Sequence, residues 1–173
     1  MKKIYIVLTH TGTPLANFIR FYTKDEFSHV SIALDKELQE MYSFGRLNPY
    51  NAFIGGFVHE YIDKGTFKRF KKTYAKVCSL NIKDEQYELL QKKIEEFHEK
   101  KNEYKFNVIG MFAVGLHKKI KFKNSFYCAE FVKHIMDESK IENNLPEIVK
   151  PENFKNLKGL EEKYIGKLKE YKI

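Results

Sequence analysis

Two short segments of the chain carry the residue types that covalent catalysis by a thiol requires. His29 lies in segment 28–34, which reads SHVSIAL, and Cys128 lies in segment 126–132, which reads FYCAEFV. A cysteine thiolate is a strong nucleophile, and a neighbouring imidazole can take the thiol proton and later return it to a leaving group. These segments therefore predict a thiol nucleophile, Cys128, with an imidazole base, His29.

A catalytic imidazole also needs a third polar group that fixes the orientation of its ring. We expect Glu40 to fill this role, because it lies on the next extended segment and would approach His29 across a tight turn. Gln39, Ser43 and Glu60 are the alternatives for the same role.

The elements that hold these residues are predicted from hydrophobic periodicity. Residues 27–34 alternate between apolar and small or polar side chains, and residues 38–44 resume the extended pattern after a short turn, which predicts a β-hairpin. Residues 125–139 have apolar side chains at helical spacing, which predicts a helix with Cys128 in its first turn. The backbone N–H groups at the start of that helix would favour the thiolate and could hold an oxyanion.

The rest of the chain alternates between strands and helices. Residues 4–8 form a continuous apolar run that predicts a central strand buried on both faces, and Thr13-Pro14 predicts the start of a short helix. Residues 45–56 are rich in Gly, Asn and Pro and predict a long surface loop that borders a cleft. We further predict strands at 57–61 and 72–81, helices at 84–101 and 106–116, and a peripheral helix or frayed tail at 160–173.

Length and composition are typical of one folded domain. The chain has 173 residues, of which 43% are hydrophobic and 31% are charged. This length suffices to bury one core, and the hydrophobic content excludes a disordered chain. We predict a single domain spanning 1–173, of the α+β class, in which a mostly antiparallel sheet packs against helices. The sequence indicates no oligomeric state.

The number of cysteines indicates the cellular compartment of the protein. Cys78 and Cys128 are too few for a disulfide framework, so we expect free thiols and a cytoplasmic location. No apolar run of the sequence reaches the roughly 20 residues that a membrane-spanning helix needs. We therefore expect no transmembrane segment.

The order of the two motifs resembles that of a known enzyme family. A strand reading SHVSIALD, a following strand with a glutamate, and a later helix opening with YCAEFV are similar to the circularly permuted branch of the papain-like cysteine hydrolases. This branch is related to the NlpC-type cell-wall amidases and to lecithin:retinol acyltransferase. In the unpermuted relatives the cysteine helix precedes the histidine strand, whereas here His29 comes first. The resemblance covers the hairpin of residues 29–40 and the Cys128 helix.

The resemblance implies a papain-like fold and hydrolysis or transfer at an amide or ester through an acyl-cysteine intermediate. Its catalytic residues would be Cys128, His29 and an acidic or polar third residue, for which Glu40 is the first choice. The substrate would be a small peptide, an amide or a lipid-acyl compound. We expect no cofactor and no metal, since the histidines show no metal-ligand spacing. The side chains expected to shape the substrate cleft are Tyr42, Phe44, Arg46 and Tyr127.

Two other functions stay open at this point. A papain-like fold could bind a ligand without catalysis, and a net charge of +8 would also suit a module that binds nucleic acid or an anionic surface. Basic and aromatic residues are interleaved at 64–74, and lysines recur at 118–123, a composition that can hold phosphates and stack bases. We interpret these lysines as a solvated, protected strand edge and expect no nucleic-acid partner.

Overall fold

The computed structural model describes residues 1–23 and 25–172, and its centre is a six-stranded antiparallel sheet. In chain order the strands are β1 (Lys2–His10), β2 (His29–Ala33), β3 (Met41–Asn48), β4 (Asn51–Glu60), β5 (Tyr74–Ile82), β6 (Lys105–Phe106), β7 (Ser125–Phe126) and β8 (Leu160–Lys167). The strand order across the central sheet is β4-β3-β2-β1-β5-β8, and β6 and β7 form a separate parallel pair. The helices are α1 (Pro14–Thr23), α2 (Gly65–Arg69), α3 (Asp84–Glu99), α4 (Val108–Gly115) and α5 (Cys128–Glu138). The predicted α+β class is confirmed.

The apolar run at 4–8 forms the central strand that its composition predicts. Ile4 and Ile6 of β1 lie in the larger core, together with apolar residues of α3 and α5. Tyr5 and Val7 lie in the smaller core, together with Phe67 of α2. Because successive side chains of a strand point to opposite faces, these two sets show that β1 is buried on both sides.

Most other predicted elements are confirmed within a few residues. The hairpin is formed by β2 and β3, which pair at Ile32 with Tyr42 and at Ala33 with Met41. The predicted strands at 57–61 and 72–81 correspond to the end of β4 and to β5, and the predicted helices at 84–101, 106–116 and 125–139 to α3, α4 and α5. The helix predicted from Thr13-Pro14 is α1.

The segment 45–56, predicted as a long surface loop, is a β-hairpin instead. Strands β3 and β4 pair along this segment, and Gly45 lies opposite Gly56. The glycines are there because the backbone packs closely, not because the segment is a loop. A Cβ added to Gly55 would lie 2.8 Å from the carbonyl oxygen of Gly45 and 2.9 Å from Cβ of Phe106.

The prediction of a peripheral helix or tail at 160–173 is wrong for residues up to 170. Residues 160–167 form β8, which pairs with β5, and residues 168–170 form one 3-10 turn in which Leu168 is buried. The Lys- and Glu-rich composition of this segment is that of an edge strand, where charged side chains reach solvent and discourage further pairing. Ile173 lies outside the described residues.

Alanine substitution of two neighbouring glycines tests the close packing at β4. We expect Gly55→Ala to lower the free energy of unfolding by about 1–3 kcal/mol, because the new methyl group meets backbone and a ring-bearing carbon. Gly56→Ala is the matched control, since its Cβ would lie 3.3 Å from Cδ1 of Leu47, the end of an exposed and flexible side chain. Urea unfolding measures both variants, and equal losses would contradict this packing.

Candidate active site

Strand register brings His29 and Glu60 to the same face of the sheet. His29, Ser31 and Ala33 point to one side of β2, because side chains alternate along a strand. Ala33 lies opposite Met41 of β3, and Met41 lies opposite Glu60 of β4. Directly opposed residues project from the same face. The Glu60 side chain is therefore on the side of the sheet that His29 occupies.

A buried hydrogen-bonded group joins His29, Glu60 and Ser31. His29 Nε2 lies 3.1 Å from Glu60 Oε1 and 3.3 Å from Glu60 Oε2. The Ser31 hydroxyl donates to Glu60 Oε2 and lies 3.3 Å from His29 Nε2. The His29 and Glu60 side chains are only 18% and 9% exposed, so solvent screens this ion pair weakly. Since Nε2 is engaged in this way, Nδ1 is the ring nitrogen left for Cys128.

Glu40 does not contact His29 as predicted. It is exposed in the turn between β2 and β3, where its backbone N–H donates to Asp35 Oδ1 at 2.7 Å and its carbonyl accepts from the Leu34 N–H at 3.0 Å. The prediction is wrong because it assumed a tight turn, whereas the turn spans residues 34–40. Glu60, one of the alternatives, takes this position.

The other two alternatives for the third group also have defined places. Gln39 is exposed, and its side chain donates to the Glu37 carbonyl at 3.3 Å. Ser43 is buried on β3 and adds to the polar surroundings of the Glu60 carboxylate. Neither side chain replaces Glu60 as the partner of the imidazole.

Cys128 is the first residue of α5, as predicted from the sequence. The first backbone bond of this helix runs from the Phe131 N–H to the Tyr127 carbonyl, at 3.0 Å. The N–H groups of the preceding turn, including that of Cys128, therefore have no acceptor within the helix. Cys128 is 4% exposed as a residue, so its sulfur is reached through a cavity rather than from open solvent.

A narrow cavity of about 80 Å³ is lined by Cys128, His29 and Glu60 together. Phe44 and Arg46, two of the side chains predicted to shape the substrate cleft, also line it. Arg46 is held in place by a 2.8 Å bond from its Nη2 to Thr13 Oγ1.

The structure does not bring the other two predicted cleft residues to this cavity. Tyr42 stacks on Phe57, with ring centroids 5.9 Å apart. Tyr127 is buried in the larger core, and its hydroxyl donates to the Val149 carbonyl at 3.0 Å. Both side chains contribute to packing around the site.

The charge of Glu60 keeps the imidazole of His29 protonated. Desolvation by burial works to lower the pKa of His29, but the Glu60 charge and then interactions with Cys128 outweigh it and raise this pKa to about 10. Burial likewise works to raise the pKa of Glu60, but the His29 charge and hydrogen bonds from His29 and Ser31 hold it below its usual value. A cationic imidazole beside a sulfur favours the thiolate. The arrangement can therefore supply both a nucleophile and a proton.

Sequence reasoning missed the part that Ser31 plays in this group. The signal was present, because Ser31 follows His29 by two residues and alternation puts both side chains on one face. Ser28 also lines the cavity, and its hydroxyl pairs with His10, a partner that no local pattern indicates.

Three of the basic and aromatic residues at 64–74 are engaged with other parts of the chain. The guanidinium of Arg69 lies 4.0 Å from the ring centroid of Tyr50, and Lys64 Nζ lies 4.4 Å from that of Tyr61. Phe67 is buried in the smaller core. A surface that stacks nucleic-acid bases would need these side chains to be free, and here they are already engaged.

Across residues 1–23 and 25–172, no cluster of three or more His, Cys, Asp and Glu side chains is placed to hold a metal ion. In the same part of the chain, no helix is long and apolar enough to cross a membrane. Cys78 and Cys128 are both free thiols, and Cys78 is buried opposite Ile6 of β1.

A scan against protein-family models and a search of curated proteins find no match to this chain. What the chain itself defines is an α+β fold with a cysteine, a histidine and a glutamate around one cavity.

The raised pKa of His29 makes the stability of the fold depend on pH. A group whose pKa is higher in the folded than in the unfolded chain stabilises the fold fully below its unfolded pKa and loses that contribution as the pH rises through its folded pKa. For His29 this window runs from 6.5 to about 10. We expect the free energy of unfolding to fall across this window by up to about 1 kcal/mol per pH unit.

Glu60→Gln should remove most of this decline, because it takes away the charge that raises the pKa of His29. Glu40→Gln is the matched control and should keep the wild-type slope, since Glu40 is exposed and does not contact the ring. Urea unfolding at a series of pH values gives the three curves. A Glu60→Gln curve parallel to that of the wild type would contradict the ion pair.

Proposed function

We propose that the chain is a cysteine hydrolase or acyl-transferring enzyme of the circularly permuted papain-like class. The observation that carries this proposal is the convergence of Cys128, His29 and Glu60 on one cavity. The chain order, with the histidine strand ahead of the cysteine helix, and the sequences at 28–34 and 126–132 support the same class. Glu60 takes the orienting role that the sequence alone suggested for Glu40.

The first chemical step is attack by the Cys128 sulfur on the carbonyl carbon of an amide or ester. The backbone N–H of Cys128, which has no acceptor within α5, is available to the oxyanion that develops on the carbonyl oxygen. His29 then gives its proton to the leaving nitrogen or oxygen, and the bond to the leaving group breaks. The product of this step is a thioester on Cys128.

The second step removes the acyl group. With the leaving group gone, neutral His29 takes a proton from a water molecule or from an acceptor alcohol or amine as that molecule attacks the thioester. The Cys128 sulfur leaves, and the imidazole is again protonated beside Glu60. Glu60 stabilises the charged imidazole in both halves of the cycle and fixes the ring through Nε2, at 3.1 Å.

A ligand-binding role without catalysis explains the site less well. Burying a carboxylate and an imidazolium costs several kcal/mol per ion before their attraction offsets it, and strongly shifted pKa values are concentrated at catalytic sites. A pocket that only binds a ligand does not require an imidazole whose pKa is raised to about 10 next to a thiol. We therefore propose that the cluster serves acyl chemistry.

The dimensions of the cavity bear on the substrate. A cavity of about 80 Å³ has room for the reacting carbonyl and the groups bonded to it. A second groove of about 280 Å³ adjoins it, because Arg46, Glu60 and Thr66 line both spaces. The rest of a small peptide, amide or lipid-acyl substrate would lie in this groove. Since both cysteines are free thiols, we also propose that the enzyme works in a reducing, cytoplasmic compartment.

Trapping of the acyl-enzyme tests this function. We expect p-nitrophenyl acetate, an activated ester whose p-nitrophenolate leaves without a hydrogen bond from the site and whose acetyl group is small enough for the cavity, to release one equivalent of p-nitrophenol in a burst and to leave an acetyl group on Cys128. Peptide mass mapping locates the group. Cys78→Ala is the matched control and should behave as the wild type, whereas Cys128→Ala should show no burst. Acetylation spread over Cys78 and lysines, with no burst that depends on Cys128, would contradict the proposal and favour a ligand-binding protein.

A further inference from the structure

A second chain of hydrogen bonds ends at the cavity, on the residue that precedes the catalytic histidine. Ser28 lines the cavity with Cys128 and His29. Its hydroxyl oxygen lies 3.3 Å from Nδ1 of His10, the last residue of β1. Nε2 of the same imidazole lies 3.0 Å from Oδ1 of Asn17 in α1. The mechanism above uses none of the Ser28, His10 and Asn17 side chains.

The directions of these bonds follow from the side chain of Asn17. Its Nδ2 donates to the Gly12 carbonyl at 3.2 Å, so the atom beside His10 is the acceptor Oδ1. His10 Nε2 must therefore carry a proton. Burial lowers the pKa of His10, and the nearby Arg20 charge lowers it further, although the bond to Asn17 works in the opposite direction. The imidazole is thus neutral at pH 7, and its Nδ1 has a lone pair rather than a proton.

Because Nδ1 of His10 carries no proton, it determines whether the Ser28 hydroxyl donates or accepts. The hydroxyl proton of Ser28 is donated to His10, so the Ser28 oxygen has only lone pairs left for other partners. Because Ser28 lines the cavity, these lone pairs form an acceptor on the wall of the space that Cys128 also lines. A hydroxyl that is free to rotate could serve as donor or acceptor, but this one is restricted to accepting.

We propose that the Ser28 hydroxyl oxygen accepts the N–H of the scissile amide, so that the substrates of this enzyme are amides rather than esters. This inference rests on the proposed function. An ester places an oxygen where the amide places its N–H, and that oxygen would meet the lone pairs of Ser28 without a hydrogen bond. A site built to pair with a substrate N–H discriminates against the analogue that lacks it.

During acyl transfer, Cys128, His29 and Ser28 each contact a different part of the scissile amide. The Cys128 sulfur forms a bond to the carbonyl carbon, the carbon–nitrogen bond breaks, and His29 supplies the proton with which the nitrogen leaves as an amine. Ser28 holds the N–H of that nitrogen while its lone pair turns toward His29. His10 and Asn17 are positioning residues, because they act on the substrate only through the Ser28 hydroxyl.

Two small alkylating reagents test Ser28 without knowledge of the natural substrate. Iodoacetamide and methyl iodoacetate both form a carbon–sulfur bond at Cys128 and release iodide, but only the amide carries N–H groups. The measured quantity is the ratio of the two alkylation rates at Cys128, divided by the same ratio for glutathione. We expect this normalised ratio to exceed unity in the wild type and to fall about fivefold to tenfold in Ser28→Ala, the usual effect of losing one neutral hydrogen bond.

Two variants of nearly equal size test the positioning by His10. Asn at position 10 puts an acceptor oxygen close to where Nδ1 lies, whereas Leu has the same shape and no acceptor. We expect His10→Asn to keep the wild-type ratio and His10→Leu to lower the ratio as Ser28→Ala does. A loss of stability alone would affect both reagents equally and would not move the ratio.

The outcomes separate this inference from the proposed function. A wild-type ratio equal to that of glutathione, or one that Ser28→Ala leaves unchanged, would overturn the role of Ser28. An equal fall in His10→Asn and His10→Leu would overturn the positioning by His10. If Cys128 reacts no faster than glutathione with either reagent, and His29→Ala changes neither rate, the proposed function itself fails.

Discussion

The ion pair between His29 and Glu60 constrains the architecture around the cavity. Two charged groups in a buried position are tolerated only when each satisfies the other, so the strands that carry them must keep a fixed register. β2 presents the imidazole, β4 presents the carboxylate, and β3 sets the distance between them. β3 passes directly beside the pair, since a Cβ at Gly45 would lie in van der Waals contact with Glu60 Oε1, at 3.4 Å.

Two hydrogen-bonded chains meet at the cavity, one from each side of β2 in the sheet. The chain that passes through Glu60 and Ser31 comes from β2 and β4, and it keeps the His29 imidazole protonated. The chain that passes through His10 and Asn17 comes from β1 and α1, and it orients the hydroxyl of Ser28. Ser28, which immediately precedes β2, and His29, its first residue, thus have different partners. The His29 imidazole is cationic and paired with Glu60, whereas the His10 imidazole is neutral and directs the hydroxyl of Ser28. The central position of β2 between β1 and β3 makes both connections possible.

The features that the sequence predicts well are those that depend on neighbours along the chain. Alternation around His29 and helical spacing around Cys128 are local patterns, and both elements form as predicted. The partner of His29 was mistaken because it depends on the pairing of β3 with β4, and the glycines of that hairpin have the composition of a loop. The edge strand at 160–167 was missed for a related reason, since its charged residues pair through backbone bonds with β5 and bury little apolar surface. The role of Ser28 likewise depends on a histidine 18 residues away in the chain.

The central claim is that the buried carboxylate of Glu60, acting through His29, activates the sulfur of Cys128. The most direct measurement is the rate at which iodoacetamide alkylates Cys128 at neutral pH in the wild type, Glu60→Gln and Glu40→Gln. We expect Glu60→Gln to slow this reaction by about tenfold or more, because the imidazolium loses its counter-charge, and Glu40→Gln to match the wild type. Equal rates in all three proteins would contradict it.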